Sequence, residues 1–286
     1  MSSRNSLHES ADASARSIRL IATDLDGTLL TSDGQVSART RAALDAARAA
    51  GIAVVPVTAR QPIGLRAMAA GAGFEQWALC SNGSFGIHLG TNELLFADEL
   101  APETLRTVAE ALRESIPDLL FASVRDGGEG FVAQHGYSDI AHLNDHKRDP
   151  QSMGGVDLDE VLDAPTLKLV VRHPKLAPHA VYEALQRLGM SGFASTLSGA
   201  PFVEIMADGV SKATGLAQLC DHLGIDRDEV IAFGDALNDV EMLHWAGHGV
   251  AMANAEQATK DAADEVTTSN DDDGVARVIE RVLHSL

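Results

Sequence analysis

Asp24-Leu25-Asp26-Gly27-Thr28-Leu29-Leu30 decides how this chain is read. An apolar run, Ile18 to Ala22 with only Arg19 breaking it, leads straight into it and puts both carboxylates at the end of a strand. In extended chain, residues i and i+2 point to the same face, so the two acids address one small space. Gly27 lets the backbone turn sharply there, and Thr28 adds a hydroxyl. Such a group can hold a divalent cation and offer a carboxylate nucleophile to a phosphorus atom. The plain alternative is a solvated Asp-Gly turn after a strand.

Working outward, strand and helix alternate. Leu20 to Thr23, the nearly all-apolar Ile52–Val57 and Trp77–Cys80 read as strands. Ser37 can cap a helix over Ala38–Ala50 that Gly51 stops. Pro62 suits the first turn of another. Ser81-Asn82-Gly83-Ser84 is a turn signal. The pattern then changes to two hairpins, within 85–96 and 119–133, with helices over Pro102–Ser115 and Ala177–Leu188 and short strands between. From Ser211, alternation returns: a helix to about Leu223, then a strand, Glu229–Phe233, that runs into Gly234-Asp235-Ala236-Leu237-Asn238-Asp239. The expected architecture is an α/β parallel-sheet core interrupted by an α+β insert. Its expected bounds are a disordered tail over 1–16, core over 17–84 and 198–286, and insert over 85–197.

Composition narrows the function. The chain has 286 residues, of which 45% are hydrophobic and only 4% aromatic, so its core should be Ala, Leu, Val and Ile. No apolar run approaches the roughly 20 residues of a membrane span. The start of the chain has no apolar signal-peptide centre. Cys80 and Cys220 have no metal-ligand spacing and read as small buried residues in a reducing cytoplasm. The net charge of −19 argues against nucleic-acid or anionic-membrane binding. It also opposes long-range steering of an anionic substrate, so local cations must capture one. A metal ion, Arg60 and Lys212 are the candidates.

Further signals sit at the ends of expected strands, where ligand sites of open α/β sheets lie. Thr58, in Val54-Val55-Pro56-Val57-Thr58-Ala59-Arg60, ends a strand with a hydroxyl that can hold a phosphoryl oxygen. Arg60 can contact the same phosphate or merely face solvent. Lys212 stands in the first turn of a helix, where the dipole disfavours a cation, which points to another use. Asp235, Asn238 and Asp239 make a second acidic strand-to-helix turn.

The stretch from Asp24 to Leu30 resembles the nucleophile motif of the haloacid dehalogenase superfamily. Thr58, with Ala59 where relatives often have Gly, resembles its second motif, Gly209-Val210-Ser211-Lys212 its lysine motif, and Gly234 to Asp239 its GDxxND motif. The gap between Asp26 and Thr58 holds one helix and one strand, so a cap must lie in the long gap before Lys212. That placement, and Asn270-Asp271-Asp272-Asp273-Gly274-Val275 near the end, resemble the Cof-type (IIB) branch with its C2B cap.

The resemblance implies a Rossmann-like core and an Mg²⁺-dependent phosphatase. Asp24 is then nucleophile and Asp26 general acid and base. Thr58, Arg60, Lys212, Asn238 and, from its third-strand loop, Asn82 face phosphate or substrate. Asp24, Asp235, Asp239 and the backbone of Asp26 serve the metal. The implied partner is a small phosphate ester, and the implied state a cytoplasmic monomer. A sugar phosphomutase and a non-catalytic phosphometabolite sensor on the same fold are the alternatives. His135, His142 and His146 have no clean metal spacing and read as surface or loop histidines, or as substrate contacts from the cap.

Overall fold

The structure, a computed structural model, describes residues 18–285; the expected tail over 1–16 lies outside them. The first half of the core is β1 (Leu20–Thr23), α1 (Ala38–Ala49), β2 (Ala53–Pro56), α2 (Pro62–Ala72), β3 (Trp77–Cys80), β4 (Phe85–His88) and β5 (Leu94–Ala97). The middle of the chain forms α3 (Pro102–Ser115), β6 (Leu120–Arg125), β7 (Gly130–Ala133), α4 (Leu143–His146), α5 (Leu158–Val161), β8 (Lys168–Arg172), α6 (Pro178–Arg187), β9 (Phe193–Thr196) and β10 (Val203–Ala207). Then follow α7 (Lys212–Leu223), β11 (Val230–Gly234), α8 (Val240–Trp245), β12 (His248–Ala251), α9 (Gln257–Asp261), β13 (Glu265–Val266) and α10 (Gly274–His284).

Parallel pairing in the order β13-β12-β11-β1-β2 makes the core sheet. A parallel bridge between Val57 and Leu79 attaches β3 beyond β2. β1 and β11 are buried along their whole length because helices cover both faces, which is why they read as mostly apolar runs. Each fully buried Leu or Val there stabilises the fold by about 1.5–3 kcal/mol. Ser37 caps α1 by accepting the Thr40 amide at 3.0 Å. Cys80 and Cys220 are buried free thiols, and burial pushes both up to about 12. Among the described residues, no helix is long and apolar enough to cross a membrane.

The second sheet is antiparallel, in the order β7-β6-β8-β10-β9. On one face Leu169, Val171, Val203 and Ile205 pack against α3 and α6. The opposite face, carrying Lys168, Val170 and Glu204, turns toward the carboxyl ends of the core strands. The pairing differs from the expected insert, 85–197, at both ends. β4 pairs with β3 and β5 with β4, and Phe85 and Ile87 pack in the core cluster. β10 pairs with β8 and β9, so it belongs to the second sheet. We propose 98–207 as the insert on that pairing.

Candidate active site

The loops after β1, β2 and β11 converge under the second sheet around a cavity of about 330 Å³. Asp24 follows β1 directly, and its amide donates to Phe233 O at 3.0 Å, tying it to β11. Its carboxylate accepts Lys212 Nζ at 2.6 Å. Lys212 is the first residue of α7, held by a reciprocal cap in which Ser211 accepts the Thr214 amide and Thr214 Oγ1 accepts the Ser211 amide. Its ammonium is fully enclosed and also reaches Asp239 Oδ1 at 2.6 Å. Those two carboxylates offset the poor placing of a cation at a helix start.

The other oxygen of Asp239 accepts the amides of Asp235 and Ala236, at 2.9 and 3.0 Å. Asp239 therefore shapes the loop that presents Asp235. Thr28 Oγ1 donates to Asp235 Oδ1 at 2.7 Å. Gly27 adopts a φ of +86°, and a Cβ on it would overlap the Asp235 carboxylate. Only glycine lets the first acidic loop lie against the last one.

Carboxylate oxygens of Asp24, Asp235 and Asp239 lie within 4.8 Å of one another. Burial raises the Asp24 carboxyl well above its ordinary range; Lys212 opposes this, while Asp239 and Asp235 add to it. Burial and then Asp239 push Asp235 up to about 6. Three crowded acids around one lysine carry excess negative charge, and their hard oxygen donors fit Mg²⁺.

Asp26 stands apart from this cluster. Arg60 clamps it with two bonds, Nε to Oδ2 at 2.7 Å and Nη2 to Oδ1 at 2.6 Å, while its side chain stays half exposed. Burial raises the Asp26 carboxyl, but the bonds and charge of Arg60, with Lys147 and Lys212 adding, outweigh it and hold the group below its ordinary value. Arg60 thus faces an acidic partner in the cleft.

Thr58 is buried beside the cavity, its amide donating to Leu79 O at 2.9 Å and its hydroxyl accepting the Arg60 amide at 3.1 Å. Asn238 lines the cavity; its Nδ2 donates to Asn82 Oδ1 at 2.9 Å, and its own carbonyl oxygen is buried without a partner. That acceptor suits a cation or its water better than a phosphate oxygen. Asn82, expected near substrate, is fully buried behind Asn238 and does not line this cavity. Its loop is a strut: the Ser81 amide donates to Arg60 O, the Asn82 amide to Thr58 O, and Gly83 packs on Ser211 O. Ser81 and Asn82 take left-handed φ angles of 51° and 60°, strain kept because these three contacts over-determine the turn.

Asn270 and Asp271 brace the first loop from outside. Asn270 Nδ2 donates to Leu30 O at 2.8 Å, and Asp271 accepts the amide and hydroxyl of Ser32.

Among the insert residues on the cavity wall, Lys168 and Glu204 escaped the sequence reading, whereas His146, which also lines it, was noted there as a loop histidine or a substrate contact from the cap. Lys168 and Glu204 are buried and paired, on adjacent strands of the second sheet. The available signal was a charge at an inward position of an apolar strand, as in Leu167-Lys168-Leu169 and Val203-Glu204-Ile205. Of the three histidines noted, His135 and His142 are exposed, but His146 is buried, stacked 4.6 Å from Phe202 and bonded to Tyr137 Oη at 2.8 Å. Burial, then Lys168, push its pKa down to about 3.

His146 therefore stays neutral in the fold and protonates once unfolded, below about pH 6.5. Its contribution to stability is whole above that value and shrinks as pH falls toward 3. Between pH 7.5 and 5.0, wild type should lose about 2 kcal/mol more than His146→Gln. Urea melts at the two pH values test this, and parallel losses would refute it.

A family model described as haloacid dehalogenase-like hydrolase matches residues 21–279. The chain is 32% identical over 239 residues to the HMP-PP phosphatase of Cronobacter sakazakii, covering 83% of this chain and 85% of that one. It is 28% identical over 267 residues to the 5-amino-6-(5-phospho-D-ribitylamino)uracil phosphatase YcsE of Bacillus subtilis, covering 92% and 94%. Its fold matches the crystal structure of SMU.1108c from Streptococcus mutans UA159 with a TM-score of 0.81 at 24% identity, over 94% of this chain and 100% of that one.

Proposed function

We propose a two-step, Mg²⁺-dependent hydrolysis of small phosphate monoesters from one premise: the chain belongs to the haloacid dehalogenase-like hydrolases, in their Cof-type (IIB) branch. Its relatives are named as phosphatases, and the chain is a phosphatase of that superfamily. The observation that carries the mechanism is Asp24: a buried carboxylate at a strand end, paired with one enclosed lysine, beside a second acidic loop. The cavity is the size of a small metabolite site.

Asp24 attacks phosphorus in line, and the ester oxygen leaves. Lys212 and Thr58 take part of the charge on the equatorial oxygens. Asp24, Asp235 and the backbone of Asp26 would hold Mg²⁺, which would supply positive charge to the same oxygens. Asp239 keeps Asp235 and Lys212 in place. Asp26 is the general acid and then the base for the water that cleaves the aspartyl phosphate. Its pair with Arg60 favours the carboxylate, so the acid step needs that pair to open. A phosphate dianion competes for the Arg60 guanidinium, freeing Asp26 to carry a proton toward the leaving oxygen.

Phosphate release from a panel of sugar phosphates and phosphorylated cofactors is the test, with Mg²⁺ and with EDTA. Release should depend on Mg²⁺ and fall about 10²- to 10⁴-fold in Asp26→Ala. No release from any ester would sink the reading.

A further inference from the structure

Lys168 is the insert's most enclosed cation, 3% exposed, on the face of the second sheet that meets the core. Glu204 pairs across from Val170 and so stands diagonal to Lys168 on the same face. One Glu204 oxygen takes the ammonium, and the other is buried without a partner. The ammonium also crosses to the core and donates to the carbonyl of Ala59 at 2.9 Å. Ala59 lies between Thr58, which faces the cavity, and Arg60, which clamps Asp26. A second insert cation, Arg148, grips the same segment through Gln61 Oε1 at 3.2 Å.

A buried ion pair alone is weak grounds for stability, because apolar residues of like volume often serve as well. A purely structural pair also gains nothing from leaving one carboxylate oxygen unpaired, a costly arrangement. The feature that needs an explanation is the bond from an insert side chain to a core backbone carbonyl beside the phosphate-facing threonine.

We propose that Lys168, held by Glu204, is a positioning residue: by bonding to Ala59 O it sets the Thr58–Arg60 segment for phosphate when the insert lies over the core. The proposal rests on the phosphatase reading for its consequence in turnover, but not for its consequence in phosphate binding. It follows that the insert does more than enclose the leaving group. Its seating on the core completes the phosphate site, so an ester bound with the insert displaced meets a poorly set Thr58.

The deciding variant is Lys168→Met/Glu204→Met. It removes both buried charges together, so no unpaired carboxylate is left behind, and it should melt near wild type. Two readouts are taken on full-length protein with Mg²⁺: calorimetric binding of inorganic phosphate, and kcat and KM for p-nitrophenyl phosphate. Phosphate affinity and kcat should each fall about 10- to 100-fold, the scale expected when a reacting group is misplaced by an ångström. Lys168→Arg, which keeps a donor for both acceptors, should restore most of both. A double variant that melts, binds phosphate and turns over like wild type would overturn the proposal. So would a stably folded Lys168→Arg that binds phosphate as weakly as Lys168→Met. Should wild type hydrolyse no ester, the phosphatase reading fails, and phosphate affinity still decides the role of Lys168.

Discussion

Asp24→Asn lowers kcat by at least about 10⁴-fold and leaves the fold intact, since nucleophile loss removes the covalent step entirely. The amide is isosteric, and the amide-to-Phe233 bond that places residue 24 is a backbone bond. Lys212 keeps Asp239 as its partner. Burial, and then Asp239 and Asp235, disfavour an ionised Asp24 in the metal-free fold despite Lys212. Neutralising it relieves that repulsion, so the variant should melt at or above the wild-type temperature without metal. Millimolar Mg²⁺ should raise the wild-type melting temperature and raise that of Asp24→Asn less, because binding stabilises only through affinity for the folded state. Single-turnover assays with scanning calorimetry test both halves. A folded Asp24→Asn protein with wild-type turnover would end the assignment of Asp24.

Lys212→Met is the second large effect, and it falls on stability as well as turnover. The side chain is fully enclosed, and it is the cation bonded to both Asp24 and Asp239. Removing it strands two buried carboxylates, a change that costs about 3–5 kcal/mol. The same loss removes charge stabilisation from the transition state, worth about 10²- to 10³-fold in kcat for a single donor. Denaturant unfolding gives the first number and steady-state turnover the second. Added Mg²⁺ should recover part of the stability, by restoring positive charge to the acids, and little of the turnover. A Lys212→Met protein as stable as wild type would show that the pair of bonds contributes nothing.

Much of the core was legible because its elements are marked locally. Ser37 and Ser211 announce helix starts, Gly51 a helix end, and the buried strands are mostly apolar. The acidic loops were legible because chemistry at strand ends needs particular residue types. Other features depend on partners far away in the chain. Nothing in Phe85–His88 or Val203–Ala207 states which sheet the strand joins; Cys80 pairing with Phe85 and Val171 with Val203 decide that. The clamp of Arg60 on Asp26 joins residues 34 positions apart, and Lys168 to Ala59 joins residues 109 apart. Asn82 was placed by resemblance to face substrate, but packing puts Asn238 in front of it.

The central pairing of β1 with β11 has a consequence for synthesis. Leu20 lies beside Val230, so a nascent chain has made β1 long before its neighbour exists. At roughly 5–20 residues per second, the interval is about 10–40 s. The insert, by contrast, is one unbroken segment with its own apolar cluster, and it can fold while the core sheet still lacks β11. Asn270 and Asp271, which brace the loop after Asp26, emerge later still. The insert is thus complete before the core sheet can close, and Asp24 gains its backbone partner Phe233 only once β11 has been made.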